Sequence, residues 1–501
     1  MRHAQTSAER RARGRSARPA RAARPVPGPA SWVSDQKFAW VTALMMYVLF
    51  FYTCVPSNLL DPSDTDVDMG KPNLLYRTLK IALLVSGIVV LLWRRALAGQ
   101  VARNLNIFFS AFLALVLLSF TWSIESVITL TRFSAICIVC LVCASFVLVG
   151  WRERRFQDIV LRFMTALCVG SLIFIVVMPD LAKEHGTTLS LQGAWHGLLS
   201  QKNGLGHAAS ITVFFWVHSW LAKESKFLPF VLGCGAGFTC LILSRSSTSL
   251  FATFFAIALL LLLLKGPQGK RRYMVFIVVA FVATILLYSL AVLDIIPGLD
   301  VILQPIVTLT GKDMTFSGRT QIWAVIRQHI AERPLLGTGY GAYWIGRVRT
   351  SPSYVFITRV SNFYPTEAHN GYLDIINDLG YVGLACLLGY VVVFLRQSLA
   401  LLKVDYVQAS LYLALLFEEL INNLSESDWL SISSTSFVVV TLATFALART
   451  TLEHRWRAQS QQSGALQRRA RAPGWGRPVV DTPHGAALCE FSETSALRAA
   501  D

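Results

Sequence analysis

The sequence predicts an all-α integral membrane protein with about 12 transmembrane helices and one large periplasmic loop that carries short helices. Three observations predict this fold. Hydrophobic residues make up 54% of the 501-residue chain and charged residues only 15%, whereas a soluble domain carries about 25% charged residues. The apolar residues are grouped in long runs. Lys and Arg are concentrated in every second connection between these runs, so a soluble fold is excluded.

The apolar runs predict the individual spans. About 20 helical residues cross a hydrocarbon core of about 30 Å, because each residue rises about 1.5 Å. On this basis we predict spans at residues 36–54, 73–93, 104–121, 129–149, 158–178, 207–222, 227–243, 247–264, 273–292, 371–395, 406–424 and 430–449. The span at 207–222 is short and contains His207 and His218.

The distribution of Lys and Arg predicts the orientation, because cytoplasmic loops carry an excess of these residues. The basic-rich connections are 93–103, 151–155, 222–226, 265–272 and 396–403. The acidic or mixed connections are 61–68, 122–126, 180–206, 294–370 and 425–428. Both termini are therefore predicted to be cytoplasmic. The large loop 294–370 is predicted to lie on the opposite, periplasmic side.

Composition divides the chain into three segments. Residues 1–35 and 451–501 are basic, rich in small residues and without apolar periodicity, so we predict disordered cytoplasmic tails. Residues 36–450 form the predicted membrane domain. Much of the net charge of +17 lies in the tails, where it favours contact with anionic membrane lipids. A nucleic-acid-binding tail is the alternative, but we expect no nucleic-acid partner.

The large loop has predicted structure of its own. Apolar residues recur at helical spacing after the Ser-Gly-Arg-Thr segment 317–320, at Ile322, Trp323, Val325, Ile326 and Ile330. They predict an amphipathic helix of about ten residues near the membrane surface, ending before Pro334. Residues 335–343 then form a predicted glycine-rich turn. No strand precedes it, so a nucleotide-binding loop is not expected.

Ionisable residues at the ends of membrane spans have a high desolvation cost, so each of them is a candidate for a functional role. We predict Arg245, Arg319 and His369 as catalytic residues. An arginine offers five donors suited to phosphate oxygens, and Arg319 lies beside a helix start that favours anions. The alternative for Arg245 and Arg319 is an interfacial anchor. A neutral His369 could accept a proton from a hydroxyl; the alternative is a capping or packing role.

Other polar residues near these span ends are candidates for substrate binding. They are Lys202, Asn203, Glu367, Asn370 and Glu426. The alternatives are a plain helix-entry loop for the first two, and the turn that starts the next helix for Asn370. Glu418 and Glu419 are predicted to face the bundle interior, because burying carboxylates in lipid is costly. No metal site and no cofactor are expected, since Cys137, Cys140 and Cys143 lack polar support.

An ordered set of motifs resembles a known superfamily. The segments are QKNGLG (201–206), SRSST (244–248), SGRTQIW (317–323), PLLGTGYGAYW (334–344) and AHNGYLDIINDLGYVGL (368–384). Together they resemble the O-antigen ligase and Wzy-type polysaccharide polymerase superfamily, and within it the ExoQ-type exopolysaccharide polymerases. The resemblance spans roughly residues 36–450 and rests on the order of the motifs, since no single motif is specific.

The resemblance implies a function as well as a fold. It implies metal-independent glycosyl transfer from an undecaprenyl-diphosphate-linked oligosaccharide, in a bacterial inner membrane and at its periplasmic face. Arg245 and Arg319 would bind the diphosphate, and His369 would position or activate the acceptor hydroxyl. A chain-length regulator of the polysaccharide export system is a further expected partner. Relatives often have His-Lys-Asn where this chain has Gln201-Lys202-Asn203, which weakens any role for position 201.

Two other functions remain alternatives to a glycan polymerase. A ligase of the same superfamily would pass the finished glycan to a lipid or protein acceptor, and the sequence barely separates the two. A membrane transporter would also suit about a dozen spans with basic residues. Transporters commonly show paired halves, however, and the large loop occurs once in this sequence without a repeat.

Overall fold

The computed structural model describes residues 34–55, 74–184, 193–267, 270–292, 319–346, 349–357 and 364–471. Within these ranges the chain is helical and contains no strand beyond one isolated bridge between Lys183 and Trp195. Large apolar side chains remain exposed on several helices, for example Val176 at 81% and Val127 at 76%. Such surfaces are expected where lipid is the solvent, so the all-α membrane fold agrees with the prediction.

Fourteen α-helices lie in the described ranges, and each predicted span coincides with one of them. They are α1 (Ala39–Cys54), α2 (Leu74–Trp93), α3 (Arg95–Asn104), α4 (Ile107–Leu118), α5 (Ser126–Leu148), α6 (Arg155–Val177), α7 (Lys202–Leu221), α8 (Phe227–Leu243), α9 (Ser247–Lys265), α10 (Arg271–Val292), α11 (Arg319–Glu332), α12 (Gly371–Leu401), α13 (Tyr406–Asn422) and α14 (Thr435–Arg471). The additional helices α3 and α11 lie in predicted connections.

Not every helix is long and apolar enough to cross a membrane by itself. Seven described helices meet that condition, and the number rises to eight if a bent pair is counted as one span. This pair joins α3 to the helical segment Ile107–Thr121, with a bend of 103°. The chain is thus a multi-pass membrane protein. The count of about 12 spans stays a prediction, because several of the coinciding helices are shorter.

Connections predicted for the same side of the membrane contact one another. The backbone N–H of Ile124 donates to the Thr338 carbonyl over 3.1 Å, which joins the 122–126 connection to the large loop. At the other helix ends, Gln397 donates to the Asn104 carbonyl over 3.2 Å, and Arg154 pairs with Glu224. The predicted alternation of the connections therefore agrees with these contacts. Which side is cytoplasmic stays a prediction.

The helix predicted in the large loop is present as α11 and has 14 residues. Its apolar residues Ile322, Trp323 and Ile326 are buried, and α11 packs against α12. The apolar face of the helix therefore contacts the protein. Residues 294–318 of the loop lie outside the described ranges.

The glycine-rich turn after α11 is also present and packs closely against its neighbours. Gly337, Gly339 and Gly341 all have positive φ angles, which glycine adopts without steric cost. The N–H of Gly341 donates to Asp378 Oδ2 at 2.7 Å, and Arg132 donates to the Gly341 carbonyl at 2.7 Å. The turn is thereby fixed between α5 and α12, which gives it a structural role.

The C-terminal end differs from the prediction. We expected disorder from residue 451, but α14 continues to Arg471. Residues 453–471 are rich in Arg, Gln and Ala, which have high helix propensity even without an apolar face. They belong to a second compact unit, Glu453–Asp501, whereas the membrane helices belong to the first, Met1–Leu452. Residues 1–33 and 472–501 lie outside the described ranges.

Candidate functional site

The centre of the candidate site is the carboxylate of Glu426, which lies between α13 and α14 and is 8% exposed. Its Oε1 accepts hydrogen bonds from Asn203 Nδ2 at 2.6 Å and from the Arg319 guanidinium at 3.0 Å. Its Oε2 lies 3.7 Å from His369 Nδ1. Three residues predicted from widely separated motifs therefore converge around the carboxylate of a fourth predicted residue.

Two further predicted cations extend this cluster. Lys202 Nζ lies 3.5 Å from the carbonyl oxygen of Arg245, which connects the start of α7 to the turn between α8 and α9. The charges of Glu426, Arg319 and Arg245 all act on the Lys202 ammonium group. The Lys202 backbone N–H donates to Glu184 Oε1 at 3.1 Å. The structure thus brings Arg319 and His369 to one carboxylate and places Lys202 against the backbone of Arg245.

The backbone adds positive potential to the same region. Helices α7, α9, α11 and α12 begin at Lys202, Ser247, Arg319 and Gly371. The first turn of α7 approaches Ser246 closely, since a Cβ atom on Gly206 would lie 2.5 Å from the Ser246 Cβ atom. A helix N-terminus carries about half a positive charge and presents N–H groups that bind anions. The dipoles of these four helices and the basic side chains therefore favour an anionic ligand, although the first N–H groups of α12 are already occupied within the protein.

His369 has an unusual environment. Its Nδ1 lies 3.1 Å from Glu367 Oε1. Burial alone would lower the pKa of His369, but the neighbouring Glu367 and Glu426 carboxylates raise this pKa to about 10. Burial raises the pKa of Glu367, and the contact with His369 opposes this rise. The imidazole is therefore protonated at neutral pH, whereas the sequence suggested a neutral imidazole that accepts a proton.

The backbone around His369 is fixed by neighbours. His369 has a φ angle of 50°, which is uncommon for a residue other than glycine and is often found at functional sites. The Ala368 carbonyl accepts a hydrogen bond from Trp323 Nε1 at 2.9 Å, and the Ala368 N–H donates to Asp374 Oδ2 at 3.0 Å. Helices α11 and α12 thus hold the peptide that carries His369. Arg245 has a similar φ angle of 53°.

Asn370 has a structural role in this arrangement. Its side-chain oxygen accepts hydrogen bonds from the N–H groups of Tyr372 and Leu373, at 3.1 and 3.0 Å. This is the geometry of an N-cap, and Asn370 is 1% exposed. The interpretation of Asn370 as the turn that starts a helix therefore agrees with the structure. Its side chain is already occupied by the cap, so substrate contact is not supported.

A buried network that the sequence pattern did not predict lies next to the site. His207 lies one helical turn after Asn203, and its Nδ1 is 2.9 Å from Asp428 Oδ2. On the other side of the ring, Nε2 is 3.0 Å from Glu418 Oε2 and 3.7 Å from Glu419 Oε2. Glu418 and Glu419 are buried and face the interior, as predicted. The signal for this network was a histidine in an apolar run together with the acidic stripe of α13.

Among the described residues, two groups of side chains have donor atoms spaced closely enough to hold a metal ion. In the first, Glu367, His369 and Glu426 have ligand atoms within 4.8 Å of one another. The second contains His207, Glu418 and Glu419. Carboxylate oxygens and imidazole nitrogens are ligands for several divalent ions. The expectation that catalysis needs no metal therefore stays a prediction for experiment.

Comparison with known proteins agrees with the resemblance inferred from the motifs. Residues 232–388 match the family described as O-Antigen ligase. The chain is also 26% identical over 256 residues to the exopolysaccharide production protein ExoQ of Rhizobium meliloti (strain 1021). That alignment covers 50% of this chain and 57% of the relative. The predicted resemblance is confirmed: residues 232–388 match the O-antigen ligase family, and the chain is similar to an exopolysaccharide production protein.

Proposed function

We propose that the chain is a polymerase of a bacterial exopolysaccharide or O-antigen-like glycan. It transfers the growing chain from undecaprenyl diphosphate to a lipid-linked repeat unit, at the periplasmic face of the inner membrane. The observation that carries the proposal is the group of basic residues and helix N-termini around Glu426. The family match and the similarity to an exopolysaccharide production protein support it.

The cations act on the donor. When the glycosyl bond breaks, negative charge develops on the leaving diphosphate and must be stabilised by positioned groups. Arg319 is held by the Ser425 carbonyl and by Glu426, at 2.5 and 3.0 Å, so its guanidinium is oriented before substrate binds. Glu426 is the internal anion of this cluster. In this mechanism the diphosphate of the donor lies beside Glu426 and binds Arg319, Lys202 and Arg245.

Glu367 and His369 act on the acceptor. The acceptor oxygen attacks the anomeric carbon, the bond to the diphosphate breaks, and the hydroxyl proton must leave. His369 already carries a proton at neutral pH because its pKa is raised to about 10, so it orients the acceptor oxygen as a hydrogen-bond donor. Glu367 takes the proton in this mechanism, since a carboxylate with a raised pKa is a better base.

The transfer is proposed to be independent of metal ions. The positive groups that a diphosphate needs are supplied by Arg319, Lys202, Arg245 and the four helix N-termini. A metal held by Glu367, His369 and Glu426 is the competing arrangement. It would remove His369 and Glu367 from their contact with the acceptor, so the two arrangements predict different responses to chelators.

A ligase of the same superfamily is the second candidate. It would use the same diphosphate-linked donor and differ only in its acceptor, so the cations around Glu426 fit both reactions. The similarity to an exopolysaccharide production protein favours the polymerase. We expect a chain-length regulator of the export system as a partner of the polymerase.

The cellular products distinguish these functions. A strain lacking the gene is complemented with wild type or with His369→Ala, and the sizes of the secreted and cell-surface polysaccharides are compared. The polymerase predicts that the deletion and His369→Ala strains lose long chains and accumulate single lipid-linked repeats. Full-length polymer left on its lipid carrier would indicate a ligase. Normal polysaccharide in the deletion strain would contradict both enzymes and favour a transporter.

A further inference from the structure

A polar cavity of about 90 Å³ adjoins the candidate site. Glu367, Glu426 and Asn203 form the wall that it shares with the site. The remaining wall comes from the end of α1, from residues 199–211 in and before the first half of α7, and from residues 427–436, which include a serine-rich segment and the start of α14. The cavity therefore begins at the carboxylate that takes the acceptor proton in the proposed mechanism.

The cavity differs from the cation cluster in charge. Its lining, among the residues that the structure describes, includes the carboxylates of Glu367, Glu426 and Asp428 and the imidazole of His207, but no Lys or Arg. Lys202, Arg245 and Arg319 do not line it. Three carboxylates against one imidazole disfavour an anionic diphosphate inside the cavity, whereas an uncharged ligand is not repelled there. The charges thus separate a region for phosphate from a region for a neutral group.

The hydrogen-bonding groups of the lining suit a carbohydrate. Hydroxyl groups of Ser431, Ser433 and Ser434 can both donate and accept, as sugar hydroxyls do. Ser434 donates to Asp428 Oδ1 at 2.5 Å, so this part of the wall is already ordered. Gln201 also lines the cavity, and its side-chain amide makes no hydrogen bond to any part of the chain that the structure describes. It is therefore available to a ligand.

The size of the cavity fits one edge of a sugar ring. The cavity has about 90 Å³ of space for the centres of water-sized groups, and one water needs about 10–15 Å³ of such space, so the cavity holds several waters. A hexopyranose edge with two or three hydroxyl groups replaces a similar set of waters.

We propose that this cavity binds the acceptor sugar that carries the reacting hydroxyl, that it selects a neutral sugar, and that Gln201 and Ser431 are specificity-determining residues. This proposal rests on the proposed glycosyl transfer and deepens it. In this arrangement the donor diphosphate lies at Arg319, Lys202 and Arg245, and the acceptor sugar lies in the cavity. Glu367 lines the cavity next to His369, where the new glycosidic bond would form.

The test uses full-length protein in lipid nanodiscs. The donor is the lipid-linked repeat unit that accumulates in the deletion strain, and the acceptor is the oligosaccharide released from that lipid by mild acid. Gln201→Ala and Ser431→Ala are expected to raise the KM for the acceptor by about 3- to 10-fold, the effect of one lost hydrogen bond. The KM for the donor stays unchanged. Gln328→Ala, at an exposed position of α11, is the matched control.

A second measurement tests the charge selection. The same oligosaccharide is oxidised so that its primary hydroxyls become carboxylates, and its kcat/KM as an acceptor is expected to fall at least about tenfold. An active wild-type protein with unchanged acceptor KM in both variants, or equal use of the oxidised acceptor, would overturn the subsite. If the wild-type protein transfers no glycan to any acceptor, the proposed function itself is wrong. Unchanged thermal unfolding of each variant confirms that it is folded.

Discussion

Arg319 gives the sharpest prediction about the donor half of the site. Its guanidinium donates to Glu426 Oε1 at 3.0 Å and to the Ser425 carbonyl at 2.5 Å, and its side chain is 18% exposed. A hydrogen bond to a charged group contributes about 1.5–3 kcal/mol, and loss of one positioned donor for a developing anion costs about 10²–10³ in rate. Arg319→Gln should therefore lower kcat/KM for the donor by about 100-fold.

Two further variants serve as comparisons: Arg319→Lys keeps the charge at the site, and Arg327→Gln is the control on the same helix. Lysine keeps the positive charge but lacks the planar guanidinium that donates to Glu426 and the Ser425 carbonyl at once. We therefore expect Arg319→Lys to lower kcat/KM for the donor by about tenfold. Arg327 is an exposed residue of the same helix, and its substitution should leave the rate near the wild-type value. Rates are measured by the release of undecaprenyl diphosphate from the lipid-linked repeat unit. An Arg319→Gln rate within threefold of wild type would refute the assignment of Arg319 to the donor.

Three further predictions concern acidity, metals and the backbone. The raised pKa of His369, about 10, stabilises the fold fully below its unfolded value of about 6.5 and ceases to do so as pH rises through about 10. The difference in Tm between wild type and His369→Asn should therefore shrink toward alkaline pH, and an increasing difference would contradict this linkage. Prolonged EDTA treatment should leave transfer unchanged; loss of activity that Mn²⁺ or Zn²⁺ restores would instead support a metal at Glu367, His369 and Glu426. Gly380→Ala should destabilise the protein by about 2 kcal/mol or more, because φ is +66° and the new Cβ would contact the backbone of the glycine-rich turn. Gly99→Ala, with nothing within 4 Å of its Cβ, is the control, and equal Tm values for the two variants would argue against this packing.

Much of the fold was predictable because apolar runs of this length report directly on helices. A helix lies at every predicted span, and Ile322 and Ile326 gave α11 correctly. The span count was less predictable, because helix length and membrane crossing are different properties. The extension of α14 to Arg471 was missed, since a polar sequence of good helix formers lacks the apolar periodicity used to recognise helices.

The sequence indicated which residues are candidates for the site, but it did not indicate which of them contact one another. Arginines and a histidine at span ends indicated a shared anionic ligand, and the structure brings them together. The sequence could not show that Glu426 joins Asn203, Arg319 and His369, because these contacts link segments far apart in the chain. His207 was passed over because one histidine in an apolar helix is most simply a packing residue.

The central claim is most directly tested by polymerisation with purified components. Full-length protein in liposomes, with no other protein present, is given lipid-linked repeat units, and the product lengths and released undecaprenyl diphosphate are measured together. The proposed function predicts a ladder of products that differ by one repeat unit, with one diphosphate lipid released per bond formed. A folded protein that yields no product longer than one repeat unit, with no diphosphate lipid released, would contradict it.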